Sequence, residues 1–111
     1  MMEVRDYHYD PDRLDEYRVW AAEAGPWLRR RWDAQGFWVD AGDDGELFGA
    51  DPVASPHGPA NVTWVIEWPD RATRDAAWEA LWEDPEWQAL WGRHPGFDGY
   101  RQLSVRFLEA V

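Results

Sequence analysis

Asn61-Val62-Thr63-Trp64-Val65-Ile66-Glu67-Trp68-Pro69-Asp70 is the stretch that decides the fold. Val62, Trp64, Ile66 and Trp68 recur at every second position, so they share one face of a strand. Pro69-Asp70 ends that strand and caps a helix predicted from Arg71 to about Glu83. Asp84-Pro85 repeats the device, a cap followed by Pro at the first helical position, for a short helix reaching Trp91. Toward the N-terminus, Met2 to Tyr9 alternates as a strand. Met2 and Val4 point to one side of it, and Glu3, Arg5, Tyr7 and Tyr9 to the other, read as the side away from the core. Asp10-Pro11 starts a helix carrying Leu14, Tyr17, Ala21, Ala24 and Leu28 at helical spacing, and Gly25-Pro26 predicts a kink or restart within it. Gly36 opens a strand from Phe37 to Ala41. Tyr100 to Leu108 is the last strand, with Leu103, Val105 and Phe107 opposite Gln102, Ser104 and Arg106. The order strand, helix, strand, strand, helix, strand belongs to an α+β class. It is a ferredoxin-like β-α-β-β-α-β sandwich, a four-stranded antiparallel sheet with both helices on one face.

The 111 residues make one domain, 1–111, with enough apolar material for one core. Eleven basic residues against twenty-two acidic ones give a formal charge of −11. No basic stripe is available for phosphate backbones, which argues against nucleic acid and an anionic membrane surface as partners. Every basic residue is Arg, read as codon bias from a GC-rich bacterial genome. The absence of Cys removes disulfides and thiolate chemistry. Neither a signal peptide nor a run near the ~18 apolar residues of a membrane span is present, so a cytoplasmic protein is expected. Ten Trp are more than a small core readily hides. The excess is expected to line a cavity or an interface. A bare sheet face bearing several Trp would need a cover, which predicts a homodimer closing two sheets over the indole-bearing side.

Three segments resemble the NIPSNAP family, within the dimeric α+β barrel superfamily. Glu3-Val4-Arg5-Asp6-Tyr7 is similar to an opening strand of the type E-L-R-x-Y, and Pro11-Asp12-Arg13-Leu14 to the P-x-K/R-L turn after it. Gly36-Phe37-Trp38 resembles a G-F-W strand start, and Asp84-Pro85-Glu86-Trp87-Gln88-Ala89 a D-P-E-W-x-A segment. Two features depart from the pattern: the Gly42–Ala60 insertion, where a short turn is expected, and Trp64, where His is expected. The resemblance implies a pocket that handles small, often aromatic or polyketide-like molecules. Members of the superfamily include cofactor-independent monooxygenases, cyclases, isomerases and haem-dependent enzymes.

Trp78, Trp82, Trp87 and Trp91 lie at i, i+4 spacing and read as core and dimer packing. Trp64 and Trp68 are either core or a ligand-lining wall, with Trp38 added to that wall. Arg5 and Tyr7 share one face of the first strand. Arg there is suited to bind a carboxylate or enolate oxygen and Tyr to donate a proton; a buried Glu3–Arg5 pair, or one between Arg106 and a Glu, is the structural alternative. The expected topology sets the last strand beside the first, bringing Arg5 toward Ser104 or Arg106, which join the substrate-binding set. His8, with Asp6 two positions earlier, has a general base's arrangement but reads as a surface residue. His57 lies in the insertion, between the prolines Pro56 and Pro59, as a candidate lid residue, and His94 follows the short helix. No histidine pair has metal-ligand spacing, Asp43-Asp44 is a weak calcium-like signal, and no phosphate loop or dinucleotide fingerprint occurs.

The leading expectation is a small homodimeric enzyme or enzyme-like protein of cyclase, isomerase or cofactor-independent monooxygenase type. It would act on an apolar or aromatic, polyketide-like metabolite without metal or nucleotide. Arg5 would bind the oxyanion, Tyr7 would be the acid, His57 would close the pocket, and Trp38, Trp64 and Trp68 would form its wall. The alternatives are a non-catalytic ligand-binding or protein-interaction module, and a haem protein with His8, His57 or His94 as axial ligand.

Overall fold

The computed structural model describes all 111 residues. Strand β1 (Met2–Tyr9) leads through a short 3-10 turn at Pro11–Arg13 into helix α1 (Leu14–Arg31). Strands β2 (Asp33–Val39) and β3 (Val62–Glu67) flank the long insertion, and helices α2 (Arg71–Leu81) and α3 (Pro85–Trp91) precede strand β4 (Tyr100–Leu108). All strand pairs are antiparallel, in the order β2-β3-β1-β4, with both helical segments packed on one face. This is the ferredoxin-like sandwich expected from the order of elements.

The caps work as their sequences require. Asp70 accepts from the Thr73 N–H at 2.7 Å, and Asp84 accepts from Glu86 N–H at 2.8 Å ahead of Pro85. Helix α1, in contrast, runs unbroken through Gly25-Pro26, so no restart occurs. An interior Pro costs roughly 3 kcal/mol. Trp27 and Leu28, which follow it, are both buried, and two such side chains return about 1.5–3 kcal/mol each. Strand β2 begins earlier than predicted, at Asp33, with a register irregularity between Ala34 and Gly36. Asn61 closes the start of β3 through its side chain, which accepts from Tyr9 N–H and donates to Tyr9 C=O, both at 2.8 Å.

Register settles which face is the core. Across β1 and β3, Glu3 stands opposite Ile66, Arg5 opposite Trp64 and Tyr7 opposite Val62. Directly paired residues share a face, and Val62, Trp64 and Ile66 are buried against the helices. The Glu3-Arg5-Tyr7-Tyr9 side is therefore the helix side, not the side away from the core. The indole-bearing face of β3 is likewise covered within one protomer, so the predicted need for a second copy over it does not arise. The bare face carries Met2, Val4, Asp6 and His8 from β1, Thr63 and Val65 from β3, and a single Trp, Trp38.

At the start of β4, Gly99 allows a close approach. A Cβ there would lie 2.3 Å from Cζ of Tyr9, a ring that is buried and fixed by donating its hydroxyl proton to Gly96 C=O at 2.6 Å. Gly99→Ala is expected to destabilise the fold by about 1–3 kcal/mol, the range for overpacking, read as a lower urea midpoint at unchanged slope.

Candidate functional site

Between the helix face of the sheet and α1, α2 and α3 lies a cavity of about 100 Å³. Six of the ten Trp line it: Trp20, Trp64, Trp78, Trp82, Trp87 and Trp91. The helical i, i+4 pairs read from the sequence as packing are thus cavity wall as well as core. The charge- or hydroxyl-bearing lining side chains are Arg5, Tyr7, Tyr17 and Tyr100. No carboxylate, amide or imidazole side chain faces it. For scale, an engineered apolar cavity of about 150 Å³ accepts benzene. The space is of the order of a single ring and opens to solvent on one side, so a ring can enter it while the rest of a larger, polyketide-like molecule stays outside.

Arg5 is placed by its neighbours. Glu3 is fully buried and gathers five N–H donors from four side chains: Arg5 Nη1 at 2.7 Å, Arg74 Nη2 at 2.8 Å and Nε at 3.1 Å, Trp68 Nε1 at 2.8 Å and Trp78 Nε1 at 3.3 Å. Burial pushes the Glu3 carboxyl up, but hydrogen bonds from Arg74, Arg5 and Trp68 outweigh it, and the net direction is down. The Arg5 guanidinium lies 4.3 Å from the Trp78 ring centroid and gives its Nε–H to Tyr7 Oη. Its Nη2 has no partner in the protein. Tyr7 Oη also accepts from Trp64 Nε1 at 2.8 Å, which fills both of its lone pairs. Burial pushes the Tyr7 hydroxyl up, with Arg5 opposing, so the phenol stays protonated.

A second polar cluster adjoins the first. The Tyr7 and Tyr100 rings meet edge-on at 5.3 Å between centroids. Tyr100 Oη lies 2.8 Å from His94 Nε2 and 3.2 Å from Tyr17 Oη. Gly96, at φ 134°, turns its N–H to His94 Nδ1 at 2.9 Å. His94 is stacked on Trp91 and edge-on to Trp20. Burial, helped by the charge of Arg13, lowers its pKa to about 4. The sequence offers His94 as a residue after the short helix and as one of three possible axial ligands. What marks it in the structure is the Gly96 turn that engages Nδ1, a conformational signal absent from residue spacing.

Of the residues singled out from the sequence, Arg5, Tyr7 and Trp64 come together in the cavity. Trp68 shares their side of the sheet but serves Glu3. Trp38 is on the opposite face, 54% exposed and folded over Gly36, so Trp38, Trp64 and Trp68 are not one wall. Arg5 stands opposite Val105, not Ser104 or Arg106. Those two face the other way: Ser104 pairs with Asp6 and Arg106 with Val4, and Arg106 Nη2 reaches Asp6 Oδ2 at 3.7 Å. A one-residue offset in a strand reverses the face, and that separates them from Arg5. His8 is buried, not at the surface, and its ring lies 6.2 Å from that of His57 on the bare face, far from any approach to Arg5. Leu47 and Phe48 plug nothing; Phe48 is 84% exposed. Haem does not fit this protein's residues: both His94 nitrogens are engaged, the cavity holds about one ring, and His8 and His57 lie across the sheet. No helix is long and apolar enough to cross a membrane.

No protein-family model matches the chain, and no curated protein matches it. Among solved structures it is similar to an uncharacterized NIPSNAP domain protein from Burkholderia xenovorans, with a TM-score of 0.70 and 21% identity over 99% of this chain and 93% of that one. It is also similar to a putative antibiotic biosynthesis monooxygenase from Bacteriodes thetaiotaomicron VPI-5482, with a TM-score of 0.59 and 18% identity over 100% and 89% of the two chains. The likeness is one of fold: this chain has the α+β ferredoxin-like architecture of both.

Glu3→Gln keeps the shape and removes the charge that Arg5 and Arg74 share. Breaking a buried pair costs roughly 3–5 kcal/mol, and urea denaturation at pH 7 is expected to show a loss of that size. Because the folded-state pKa of Glu3 is depressed, its contribution is present above the ordinary value of 4.5 and is lost as pH falls through the lowered one. The acid side of the stability profile is therefore expected to be steeper in wild type than in Glu3→Gln.

Proposed function

We propose that the protein is a small-molecule-binding, enzyme-like protein that takes a one-ring apolar or aromatic molecule into the cavity and holds its oxygen on Arg5 and Tyr7. The observation that carries this reading is a cation with a free Nη2 beside a protonated phenol, both inside a largely aromatic hollow. Two fixed donors in a poorly solvated site favour a carbonyl oxygen that gains negative charge, the chemistry of an enolate. Cyclase, isomerase and cofactor-independent monooxygenase reactions that begin by removing a proton next to a carbonyl pass through such charge. The likeness in fold to a putative antibiotic biosynthesis monooxygenase accords with that class, and the reading we propose uses no metal or nucleotide. Neither His57 nor the Asp6–His8 pair takes part, since both sit on the bare face.

A second reading, non-catalytic binding, is favoured by one feature: no side chain lining the cavity is a base. Proton exchange separates the two. If the site is catalytic, the protein accelerates exchange of the α-protons of cyclohexanone with D2O, followed by NMR. Arg5→Leu and Tyr7→Phe should each lower that rate by about 10²-fold, the scale for one oxyanion donor. Binding with no acceleration in wild type selects the non-catalytic reading, and absence of binding defeats both.

The homodimer stays part of the proposal on a different ground. Val4, Val65 and Trp38 line a sheet face that no helix covers, and a second copy is the partner that such a face fits. Trp38→Glu is expected to shift sedimentation from dimer to monomer while cyclohexanone binding persists, because the cavity lies within one protomer. A wild-type protein that sediments as a monomer at micromolar concentration defeats the dimer alone.

A further inference from the structure

Counting protons against lone pairs around the cavity gives more than a hydrophobic hollow. At the first cluster, Tyr7 Oη accepts from Arg5 and from Trp64, so its own hydroxyl proton has no acceptor in the protein. At the second, the backbone N–H of Gly96 can only donate, which makes His94 Nδ1 the acceptor and puts the imidazole proton on Nε2. The donors then run in one direction, from His94 Nε2–H to Tyr100 Oη and from the Tyr100 hydroxyl to Tyr17 Oη. One proton is left over, on Tyr17 as the bonds run, and both phenols line the cavity. Burial holds both hydroxyls high, so neither ionises at neutral pH. Trp87, a third lining side chain, carries a buried indole N–H with no partner. The surplus is one-sided: donors at two clusters, and no carboxylate, amide or imidazole side chain to receive a proton.

We infer that the cavity selects a ring carrying two acceptor oxygens, a cyclic dicarbonyl or its enolate, with one oxygen on Arg5 and Tyr7 and the other on the Tyr17–Tyr100 pair. The inference rests on the cavity being the binding site. A buried donor left unmade costs far more than an ordinary hydrogen bond returns. A ligand that satisfies both clusters therefore outcompetes one that satisfies the first only. A ring bearing hydroxyl donors in the same positions adds protons where protons are already in excess.

The test is a calorimetric titration of the full chain with cyclohexanone, the three cyclohexanedione isomers and the matching diols. The best dione is expected to bind about tenfold tighter than cyclohexanone, the factor supplied by one further hydrogen bond of good strength, and tighter than its diol. The double variant Tyr17→Phe/Tyr100→Phe should erase that advantage, the ratio of dione to cyclohexanone affinity falling to about one; a single variant is insufficient, because the remaining phenol keeps a surplus proton. If cyclohexanone binds but no dione exceeds it in wild type, or a diol equals its dione, the inference is overturned while the binding reading stands. If the double variant folds, as judged by circular dichroism, and retains the full dione preference, the assignment to Tyr17 and Tyr100 is overturned. If no probe binds, the binding reading itself fails.

Discussion

A carboxylate with no exposure to water, Glu3, sets the geometry of this molecule. Left alone in the interior, such a group would take up a proton or unfold its surroundings. Here two guanidiniums and two indole N–H groups converge on its two oxygens. The convergence ties β1 to α2 through Arg74 and Trp78 and to the end of β3 through Trp68. It also fixes Arg5, whose long side chain would otherwise have much rotamer freedom to lose. Net stabilisation from a buried ionic group of this kind is small at best, since an apolar replacement of equal shape often does as well. What the arrangement supplies is position. The same Glu3 contact that neutralises Arg5 directs its Nε to Tyr7 and leaves Nη2 for something else.

The aromatic shell explains why a space persists beside that network. Indole rings are rigid, and the pairs around the cavity meet mostly edge-on or tilted, as Trp20 does with Trp87 and Trp91 and as Trp82 does with Trp91. Such contacts contribute about 0.5–1.5 kcal/mol each beyond area burial, and they resist the collapse that flexible aliphatic chains would undergo. Trp20 and Trp27 are further fixed by donating to Leu90 C=O and to Glu86, each at 2.8 Å. Helix α3 is thereby tied to α1 through polar contacts at its ends while its indoles face inward.

Element order, caps and strand faces were readable because each rests on local chemistry: Asp70 and Asp84 cap the helices they precede, and Val62, Trp64 and Ile66 do share a buried face. The buried side of β1 is not legible in the local sequence, for a physical reason. Glu3 and Arg5 carry charge, and charge usually marks the wet face of a strand. That rule fails when the charges cancel one another, and the third member of the set, Arg74, lies 71 residues away from Glu3 in the chain. With the opposite side of β1 turned inward, Ser104 and Arg106 would neighbour Arg5 and the indole-bearing face would need a second protomer. The pairing of His94 with Tyr100 is not legible in the sequence, because the ring is oriented by the N–H of Gly96 at positive φ, which no periodicity announces.

The residues that could have served as bases have been consumed by the protein itself. Glu3 spends its oxygens on Arg5, Arg74, Trp68 and Trp78. His94 gives Nδ1 to a backbone N–H and Nε2 to Tyr100. Asp6 accepts from Thr63 at 2.7 Å on the opposite side of the sheet. Each internal bond removes an acceptor and leaves a donor further along with nothing to bind: Arg5 Nη2 beyond Glu3, the Tyr7 hydroxyl beyond Trp64, and a phenolic proton beyond His94. The polarity of the cavity is therefore a consequence of how its scaffold is held together. A site with that bias stabilises negative charge on oxygen and does little to create it, so any molecule it acts upon must bring its own acidity or its own carbonyl.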